Sequence, residues 1–366
     1  MVAVATITRS KTTQQRPVEI IMKLSVHLIT WNGARYAPFL FDSLRNQTYK
    51  DWTLLVVDNN SQDGMVEAMK RELSDFPVQW KIIENRENRG FAGGHNQAFR
   101  EADSEYFLLL NQDMYLMPDC FEKMVKFLDA NQQAAAVSPR LMRWNFVEAV
   151  NNLQKSFTDQ IDALGLKVFR NRRVVEQFTQ QNWSGDLKNK FPGKEMEVFG
   201  VSGALPMYRR SAMNQILFAG GQMFDESYHS YKEDVDLAYR LCAHGDKAFV
   251  LLNAIAYHDR AGAGPKEMAD VAAAENKKKQ SEWVKYHSYK NHLATLYKNE
   301  YWQNLILDFP WILWYEFKKL VYFLLFGRKI LRGLKELNFR DWKAKRKYIQ
   351  NQKKINWKEM RKWWSL

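Results

Sequence analysis

The chain has 366 residues, enough for one large α/β domain with additional segments or for two modest domains. Apolar residues make up 46% and aromatic residues 14%, which excludes an intrinsically disordered chain. The net charge is +13, and residues 328–366 contribute most of it, with 14 Lys and Arg against 3 Asp and Glu.

Residues 1–22 lack the continuous apolar core of a secretory signal, so a flexible leader is expected there. No run of about 18 uncharged apolar residues occurs, which predicts that no helix crosses a membrane. Cys120 and Cys242 have neither metal-ligand spacing nor the number needed for a disulfide framework. Together these features favour a reducing cytoplasm.

Apolar segments alternate with segments of helical periodicity over the first third of the chain. This alternation, with strands that are apolar almost throughout, predicts a parallel sheet covered by helices on both faces. Ligands of such sheets bind beyond the carboxyl ends of the strands, and all four predicted strands end in polar residues. The predicted strands are 23–33, 52–64, 78–90 and 105–113, and the predicted helices are 37–49, 64–73, 91–102 and 119–131.

The rest of the chain is less regular. Residues 140–198 are polar with scattered aromatic residues, and we expect an insertion on the acceptor side. The fold class is therefore α/β, with a doubly wound, mostly parallel sheet and a C-terminal amphipathic helical extension. We expect a nucleotide-binding half (23–115), an acceptor and catalytic half (116–299) and the extension (300–366). Within 116–299 the further predicted elements are a strand and helix start at 198–213, a helix within 220–245, a strand at 247–259 and a helical stretch at 266–280.

Two loops are candidates for binding a nucleotide. In VVDNNSQDG (56–64), Asp58 can accept a hydrogen bond from a pyrimidine ring N–H or, alternatively, cap the next helix. In NRENRGFAGGHNQA (85–98), the glycines allow a ligand to approach the backbone, and the following helix offers N-terminal amides to phosphate. This loop lacks the G-x-G-x-x-G pattern of a dinucleotide site, and a glycine-rich loop without a ligand is the alternative.

Asp113, in LLLNQDMYL (108–116), is a carboxylate at the end of an apolar strand. It must be solvated, hydrogen-bonded or bound to a metal, and a carboxylate with a diphosphate suits Mg²⁺ or Mn²⁺. His258 ends a later apolar strand and could complete the site, since imidazole binds transition ions. The alternatives are a turn or helix cap for Asp113 and a structural role for His258.

A third candidate is the acidic helix start EDVDLAYR (233–240). Glu233, Asp234 and Asp236 suit the positive end of the helix dipole, which is one explanation for them. Asp234 shares a helix face with Leu237, so it can lie near the apolar side and act as a general base.

Taken together, these segments resemble the family 2 inverting glycosyltransferases of the GT-A fold, and most closely the bacterial rhamnosyltransferases that use dTDP-L-rhamnose. The resemblance extends from about residue 24 to residue 299, roughly three quarters of the chain. The matching segments are SVHLITWNG, LLVVDNNSQDG, NRENRGFAGGHNQA, LLLNQD, GVSGALPMYRR, FDESYHSYKEDVDLAYRLCAHG and AIAYHDRAGAG.

The resemblance implies a role for each site residue. Asp113 resembles the last residue of the family's D-x-D motif, which implies that it is a metal ligand. His258 resembles the family's metal-associated histidine, and Asp234 resembles its catalytic base. Glu233 and Arg240 are implied as supporting residues. The residues implied to bind the nucleotide-sugar are Thr30, Asn32, Asp58, Asn60, Arg89, Gly90, Asn96, Asn111 and Gln112, with Asp58 on the base.

The resemblance further implies a single displacement at the anomeric carbon of a nucleotide-sugar, with inversion of configuration and Mg²⁺ or Mn²⁺ as cofactor. L-rhamnose is the implied sugar, and a polyprenyl-diphosphate-linked glycan in cell-surface polysaccharide synthesis is the implied acceptor. Asn111 replaces the first Asp of the motif. A site with one carboxylate is therefore expected to hold its metal weakly until nucleotide binds.

The extension alternates aromatic clusters with Lys and Arg, and Asp308, Pro310 and Glu316 interrupt its apolar runs. We expect amphipathic helices from 301 to 366 that lie on an anionic membrane surface, at the inner face of the cell membrane. An oligomer interface is one alternative. Nucleic-acid binding is another and is not expected.

Three other functions fit part of the sequence. One is the same reaction with a different UDP-, dTDP- or GDP-sugar. A second is a sugar nucleotidyltransferase, but TWNGARY, after the first strand, does not resemble that class's Gly-rich basic loop. A third is an inactive membrane-surface adaptor, which the presence of Asp113, Asp234 and His258 argues against.

Overall fold

A computed structural model describes residues 22–260 and 280–365. The strands are β1 (Met22–Thr30), β2 (Trp52–Asp58), β3 (Trp80–Glu84), β4 (Ser104–Asn111), β5 (Met114–Leu116), β6 (Ala134–Trp144), β7 (Phe157–Ala163), β8 (Leu166–Phe169), β9 (Val174–Glu176), β10 (Glu195–Val198), β11 (Met207–Arg209), β12 (Lys247–His258) and β13 (Trp364–Ser365).

The α-helices lie between and after these strands. They are α1 (Ala37–Arg45), α2 (Met65–Glu72), α3 (Gly90–Glu101), α4 (Cys120–Ala130), α5 (Phe146–Ala149), α6 (Leu153–Ser156), α7 (Gly185–Asn189), α8 (Arg210–Asn214), α9 (Glu233–His244), α10 (Glu282–Asn299), α11 (Trp302–Leu307), α12 (Phe309–Phe326), α13 (Arg328–Gly333), α14 (Phe339–Gln352) and α15 (Trp357–Arg361).

Ten strands form the central sheet, whose main order is β10-β12-β6-β11-β4-β1-β2-β3. The pairs β1–β2, β1–β4, β2–β3 and β6–β12 are parallel, whereas β11 runs antiparallel between β4 and β6. The mostly parallel α/β sheet predicted from the sequence is confirmed.

Alternate residues of the central strands feed two apolar cores, one on each face of the sheet. On β4, Leu108 and Leu110 join the core that contains α1, α2 and α4, while Phe107 and Leu109 join the core that contains α8 and α9. Successive side chains of a strand point to opposite faces, so a strand buried on both sides needs apolar residues at every position.

The predicted elements of the first 131 residues match the observed ones, and the strands end earlier than expected. Each predicted strand included polar residues that lie in the loop beyond it, such as residues 59–64 after β2. Residues 1–21, which hold nearly all of the expected leader, lie outside the described residues. So does most of the predicted helical stretch at 266–280.

Residues 140–198, which the sequence left unassigned, complete the second half of the sheet and add a small one. β6 and β10 flank β12, and β7 pairs with β6. A separate sheet has the order β13-β8-β9, so residues 364–365 pair with residues 168–169.

The extension consists of two parts with different environments. In α14 and α15, Trp342, Ile349 and Met360 are buried, and Lys345 and Arg361 form ion pairs with Asp225 and Asp308. We call α14 and α15 the docked helices. By contrast, α11 and α12 expose many large apolar side chains, which we call the apolar face: Trp302, Leu305, Ile306, Leu307, Phe309, Trp311, Leu313, Trp314, Phe317, Leu320, Val321, Leu324, Leu325 and Phe326.

Among residues 22–260 and 280–365, no helix combines the length and the apolar character that a bilayer crossing requires.

Candidate active site

Register brings three predicted nucleotide-binding residues to one edge of the sheet. Thr30 pairs with Asp58 on the neighbouring strand, and Asn111 ends β4 on the other side of β1. The Asp58 carboxylate is buried and accepts hydrogen bonds from Thr30 Oγ1 at 2.8 Å and from Ser61 N at 2.8 Å. Asp58 therefore fixes the loop after β2, and its contact with a base stays a prediction.

Asn32 and Asn60 lie in the loops beyond β1 and β2, both in the left-handed backbone region, with φ of 49° and 64°. Asparagine tolerates this conformation better than most residues. The Asn32 side chain accepts a hydrogen bond from Gln62 N at 2.8 Å, which ties the two loops together. Both residues thus shape the edge at which a nucleotide is expected.

Gln112 connects the ends of β1 and β4. Its side chain accepts from Trp31 N at 2.9 Å and donates to Trp31 O at 3.0 Å. A Cβ atom at position 33 would overlap this amide, so a larger residue there would displace the Gln112 side chain. Gln112 therefore has a structural role as a link between the two strand ends.

The glycine-rich loop ends at α3, where Arg89 is exposed and Gly90 has φ of 69°. A Cβ atom on Gly90 would collide with the carbonyl oxygen of His229. Asn59 Nδ2 donates to Gly90 O at 3.1 Å, which holds the loop against β2. Arg89 is thus exposed at this edge whereas Gly90 is buried, and binding of a diphosphate by this loop stays a prediction.

Two predicted site residues lie behind the site. The fully buried Asn96 side chain bonds to Phe224 N at 2.9 Å and Phe224 O at 2.9 Å. Buried Arg240 forms an ion pair with Asp236 at 3.1 Å and donates to the carbonyl oxygen of Ile216 at 3.0 Å. Both therefore hold the segments that precede α9 and do not face the sheet edge.

The structure brings together the two residues predicted to bind a metal. β5 pairs antiparallel with β12, so Met114 lies opposite His258 and Asp113 lies beside it. His258 Nε2 is 3.3 Å from Asp113 Oδ1, and its other ring nitrogen, Nδ1, is 2.8 Å from Asp162 Oδ2. A carboxylate behind a histidine fixes the orientation of the ring, as is common among metal-binding histidines.

Electrostatics in this cluster favour a positive charge. Burial alone would lower the pKa of His258, but the carboxylates of Asp113 and Asp162 outweigh it and raise that pKa to about 10. Burial would raise the pKa of Asp162, but His258 and Arg260 hold it below its ordinary value. The negative field that favours a proton on His258 also favours a divalent cation beside Asp113, and such a cation would have to displace that proton to bind Nε2.

Asp113 and His258 fit Mg²⁺ or Mn²⁺ as two protein ligands, with oxygens of a bound diphosphate left to complete the coordination. Across the described ranges, no group of three His, Cys, Asp or Glu side chains is placed to hold a metal. Asp113 and His258 therefore fit a metal site whose coordination a bound nucleotide would complete.

Asp234 lies in the first turn of α9, partly exposed. Its Oδ2 accepts a hydrogen bond from Gly203 N at 3.2 Å, and its Oδ1 accepts one from Val235 N at 2.8 Å. Glu233 next to it is buried, and burial together with the charge of Asp234 raises the pKa of Glu233 well above its ordinary value. Of the two acids, only Asp234 is open to a ligand.

The segment before α9 has an unusual backbone. His229, Tyr231 and Lys232 all have positive φ, of 60°, 74° and 71°, although none is glycine. Such conformations cost about 1–3 kcal/mol each and occur often at functional sites. We call residues 229–232 the strap.

Sequence reasoning missed Asp162, Glu176 and Arg260, which link the predicted metal ligands to the predicted base. Arg260 lies 3.1 Å from Glu176 Oε1 and 3.7 Å from Asp162 Oδ1. The charges of both carboxylates, together with that of Asp234, raise the pKa of Arg260 although burial opposes this. Asp162 and Glu176 belong to the irregular region, and Arg260 lies within AIAYHDRAGAG but has no role implied by the resemblance. We call the cluster of Asp113, Asp162, Glu176, Asp234, His258 and Arg260 the cleft.

Known proteins resemble the chain in sequence as well as in fold. Residues 25–217, more than half of the chain, match the sequence pattern of Glycosyl transferase family 2. The chain belongs to this family. EpsE of Bacillus subtilis (strain 168), which is named as a glycosyltransferase, is 27% identical over 120 residues. That match covers 33% of this chain and 43% of EpsE, so it spans less than half the length of this family member.

Two solved structures share the fold. A mannosyltransferase from Pyrobaculum calidifontis, PcManGT, in complex with GDP-Man and Mn²⁺, has a TM-score of 0.50 and 17% identity, covering 91% of this chain and 86% of that one. GalNAc-T7 with UDP, GalNAc and Mn²⁺ has a TM-score of 0.55 and 12% identity, covering 76% of this chain and 48% of that one. The GT-A architecture expected of this family 2 chain is confirmed.

Proposed function

We propose that the protein is an inverting glycosyltransferase in which Asp234 is the general base. One observation carries this proposal: Asp162 contacts His258, Arg260 joins that carboxylate to Glu176, and Glu176 is within electrostatic reach of Asp234. These charged contacts between the predicted metal ligands and the predicted base support a common site. Membership of Glycosyl transferase family 2 supports the reaction class.

In the proposed reaction, the acceptor hydroxyl gives its proton to Asp234 while its oxygen forms a bond to the anomeric carbon. The bond from that carbon to the diphosphate breaks, and the diphosphate leaves with the electron pair. Gly203 N–H and the N-terminus of α9 hold the Asp234 carboxylate in place. His258, oriented by Asp162, and Asp113 would hold a divalent metal that neutralises charge on the leaving diphosphate.

The donor is the finer part of the proposal. We propose dTDP-L-rhamnose on the resemblance of the motifs, with another UDP-, dTDP- or GDP-sugar as the alternative. Two solved relatives carry UDP or GDP-Man, which supports a nucleotide-sugar donor of the same general kind. Asp58, Asn32 and Gln112 shape the edge where its nucleoside would lie.

The test is nucleotide release from a panel of dTDP-, UDP- and GDP-sugars, with Mn²⁺ and with chelator. We expect one donor to be cleaved in the presence of metal, and the Asp234→Asn variant to lose 10²- to 10⁴-fold in turnover while it still binds that donor. Asp186→Asn, which changes an exposed acid in the first turn of α7, is the matched control.

Near-normal turnover of Asp234→Asn would show that the base is assigned wrongly. Release that is undiminished in chelator would remove the metal from the proposal, and absence of cleavage for every donor would contradict the reaction class.

We also propose that the apolar face binds a membrane, so that the acceptor is a polyprenyl-diphosphate-linked glycan at the inner face of the cell membrane. Trp314 is 60% exposed and Phe326 67% exposed, on a helix followed directly by Arg328 and Lys329. Exposed apolar areas of this extent mark interaction sites, and adjacent cations suit anionic headgroups. The docked helices, by contrast, bury their apolar side chains within the protein.

The membrane test uses point variants, because removal of residues 301–366 would also remove the docked helices. Wild-type protein is expected to co-sediment with vesicles of anionic phospholipid, and a variant with Trp314, Leu325 and Phe326 changed to Ser is expected to stay in solution. A control variant changes three exposed residues elsewhere, Trp80, Val147 and Val150, to Ser. If the apolar-face variant sediments with vesicles as much as the control variant does, the membrane proposal is contradicted. A change in the oligomeric state of the apolar-face variant would favour a protein interface instead.

A further inference from the structure

Two exposed aromatic side chains that do not belong to the apolar face contact each other, one on the strap and one on α10. Tyr231 on the strap is 42% exposed, and Trp283 in the first turn of α10 is 46% exposed. Their ring centroids are 5.8 Å apart at an interplanar angle of 68°, so the rings form a corner. Trp283 also packs on His287 and His229, at 4.4 Å and 5.5 Å between ring centroids.

The strap places this corner between the donor side and the predicted base. On one side, the His229 carbonyl accepts from Ala92 N at 3.0 Å, and Ser230 Oγ accepts from Phe91 N at 3.3 Å, both at the start of α3. On the other side, the strap leads directly into Asp234, and Lys232 Nζ donates to Val174 O at 3.2 Å. Tyr231 therefore lies in the segment that connects the predicted diphosphate-binding loop to the helix of the predicted base.

The strap is held in its left-handed conformation by α10, the helix that carries Trp283. The fully buried side chain of Asn291 donates to the carbonyl oxygens of Ser230 at 3.0 Å and Tyr231 at 2.6 Å. A bulky residue such as Tyr is rarely found with positive φ, so the fold keeps a costly conformation that leaves the Tyr231 ring exposed. Binding of a ligand by this ring would explain why the conformation is retained.

We propose that Tyr231 and Trp283 form the binding site for the acceptor sugar ring whose hydroxyl faces Asp234. This inference rests on the proposed function, since it names the acceptor subsite of the same reaction. A pyranose has an apolar face of C–H groups and a polar rim, and it packs well on aromatic rings that carry a hydroxyl or an N–H group at the edge. Rigid aromatic side chains also lose little entropy when a ligand binds.

The Tyr231 hydroxyl suits a polar, uncharged ligand. Burial raises its pKa, so it stays protonated near neutral pH and can donate or accept a hydrogen bond with a sugar hydroxyl. A lipid chain is the competing occupant of an exposed aromatic pair, and the experiment distinguishes the two.

The experiment measures two rates with the donor that the panel identifies, using octyl glycosides of glucose, N-acetylglucosamine and rhamnose as soluble acceptor probes. One rate is transfer to the glycoside, and the other is nucleotide release without acceptor. Trp283→Ala and Tyr231→Ala are expected to raise the acceptor KM about tenfold, the equivalent of roughly 1.4 kcal/mol, and to leave acceptor-free release within about twofold. Trp283→Phe should recover most of the loss, while Tyr231→Phe tests the hydroxyl separately.

Trp80→Ala, which removes an exposed ring at the edge strand β3, is the matched control and should change neither rate. Saturation-transfer NMR with methyl glycosides, which lack the alkyl chain, gives a second readout, and their signal should depend on Trp283. The inference is overturned if the acceptor KM of both alanine variants stays within twofold of wild type, or if Trp283 affects only the octyl and not the methyl compounds. Absence of donor cleavage by wild-type protein would instead contradict the proposed function, and the NMR readout would still decide whether glycosides bind at Trp283.

Discussion

The interface that holds the docked helices and the cleft both contain buried carboxylates, but they differ in how these are paired. At the interface, each oxygen of Asp225 and Asp308, which we call the paired set, has a hydrogen-bond or ion-pair partner within 3.0 Å. In and beside the cleft, among the described residues, one oxygen each of Glu176 and Glu233 has no hydrogen-bond partner. Asp162 Oδ1 has none either, and its ion-pair contacts with Arg143 and Arg260 are longer, at 3.8 Å and 3.7 Å.

The difference separates carboxylates that stabilise the fold from carboxylates that are available to a ligand. A buried charge without a full set of partners is costly, so a protein keeps one where binding or chemistry compensates for it. The fully paired set, including the Arg172–Asp308 contact, fastens the extension to the rest of the protein. Four predictions test this division, from the largest expected effect to the smallest.

Removing one charge from the paired set should destabilise the protein strongly. Asp308 lies between Arg170, Arg172 and Arg361, so Asp308→Asn leaves buried guanidinium groups without their counter-charge. We expect a loss of about 3–5 kcal/mol in the free energy of unfolding, measured by urea denaturation. The control Asp75→Asn alters an exposed acid 4.0 Å from Arg45 and should cost at most about 1 kcal/mol. If the two substitutions lowered the free energy of unfolding equally, Asp308 would not be one of the carboxylates that stabilise the fold.

Cleft carboxylates should gain their missing partners when substrate and metal bind together. Isothermal titration of Mn²⁺ is expected to show binding at least about tenfold tighter with a nucleoside diphosphate present than without it, because Asp113 and His258 supply only two protein ligands. Asp113→Ala should abolish this gain, whereas Asp119→Ala, at a surface pair with Lys123, should keep it. Tight binding of Mn²⁺ to the protein alone would show that the cleft needs no nucleotide.

Low pH should weaken the ion pairs that Asp225 forms at the interface. Burial alone would raise the pKa of Asp225, but the ammonium groups of Lys298 and Lys345 outweigh burial and hold it well below its ordinary value. A carboxylate whose folded pKa is lowered contributes stability above its unfolded pKa of about 4, and this is lost as pH falls below that value, at about 1.4 kcal/mol per unit of pKa depression. Urea midpoints measured between pH 7 and pH 3 should therefore fall more steeply for wild type than for Asp225→Asn. Parallel pH profiles would rule out this contribution.

The smallest effect on stability is expected at Glu176, in the cleft. Burial raises the pKa of its carboxyl group, although Arg260 opposes this, and its Oε2 has no hydrogen-bond partner among the described residues. Glu176→Gln keeps the shape and removes the charge, so the free energy of unfolding should change by less than about 1 kcal/mol while transfer activity falls. A loss as large as that of Asp308→Asn would mean that cleft carboxylates also hold the fold together.

The sequence was sufficient to predict the first half of the sheet and the edge that carries the site. The strands there are long, apolar and parallel, so their local pattern determines where Asp58 and Asp113 lie. Asp234 and His258 could be added because a helix start and a strand end are also local features. Their roles in catalysis and metal binding remain predictions.

Local patterns could not reveal Asp162, Glu176 or Arg260, because their positions depend on pairing between distant segments. Glu176 ends β9, which has only three residues, too few for a recognisable periodicity. Asp162 lies in β7, whose position depends on its pairing with β6. The extension shows the same limit. Aromatic and basic residues occur throughout 301–366, and which helices dock depends on distant partners such as Asp225 and Asp308, which the local pattern does not reveal.

The pairing of β13 with β8 has a consequence for protein synthesis. Trp364 lies beside Val168, and β8 in turn pairs with β9, which ends at Glu176. The ribosome must add nearly two hundred residues after Val168 before this edge can be covered, and contacts so distant in the chain form slowly. During translation β8 therefore presents a free strand edge, which is open to aggregation and to chaperones.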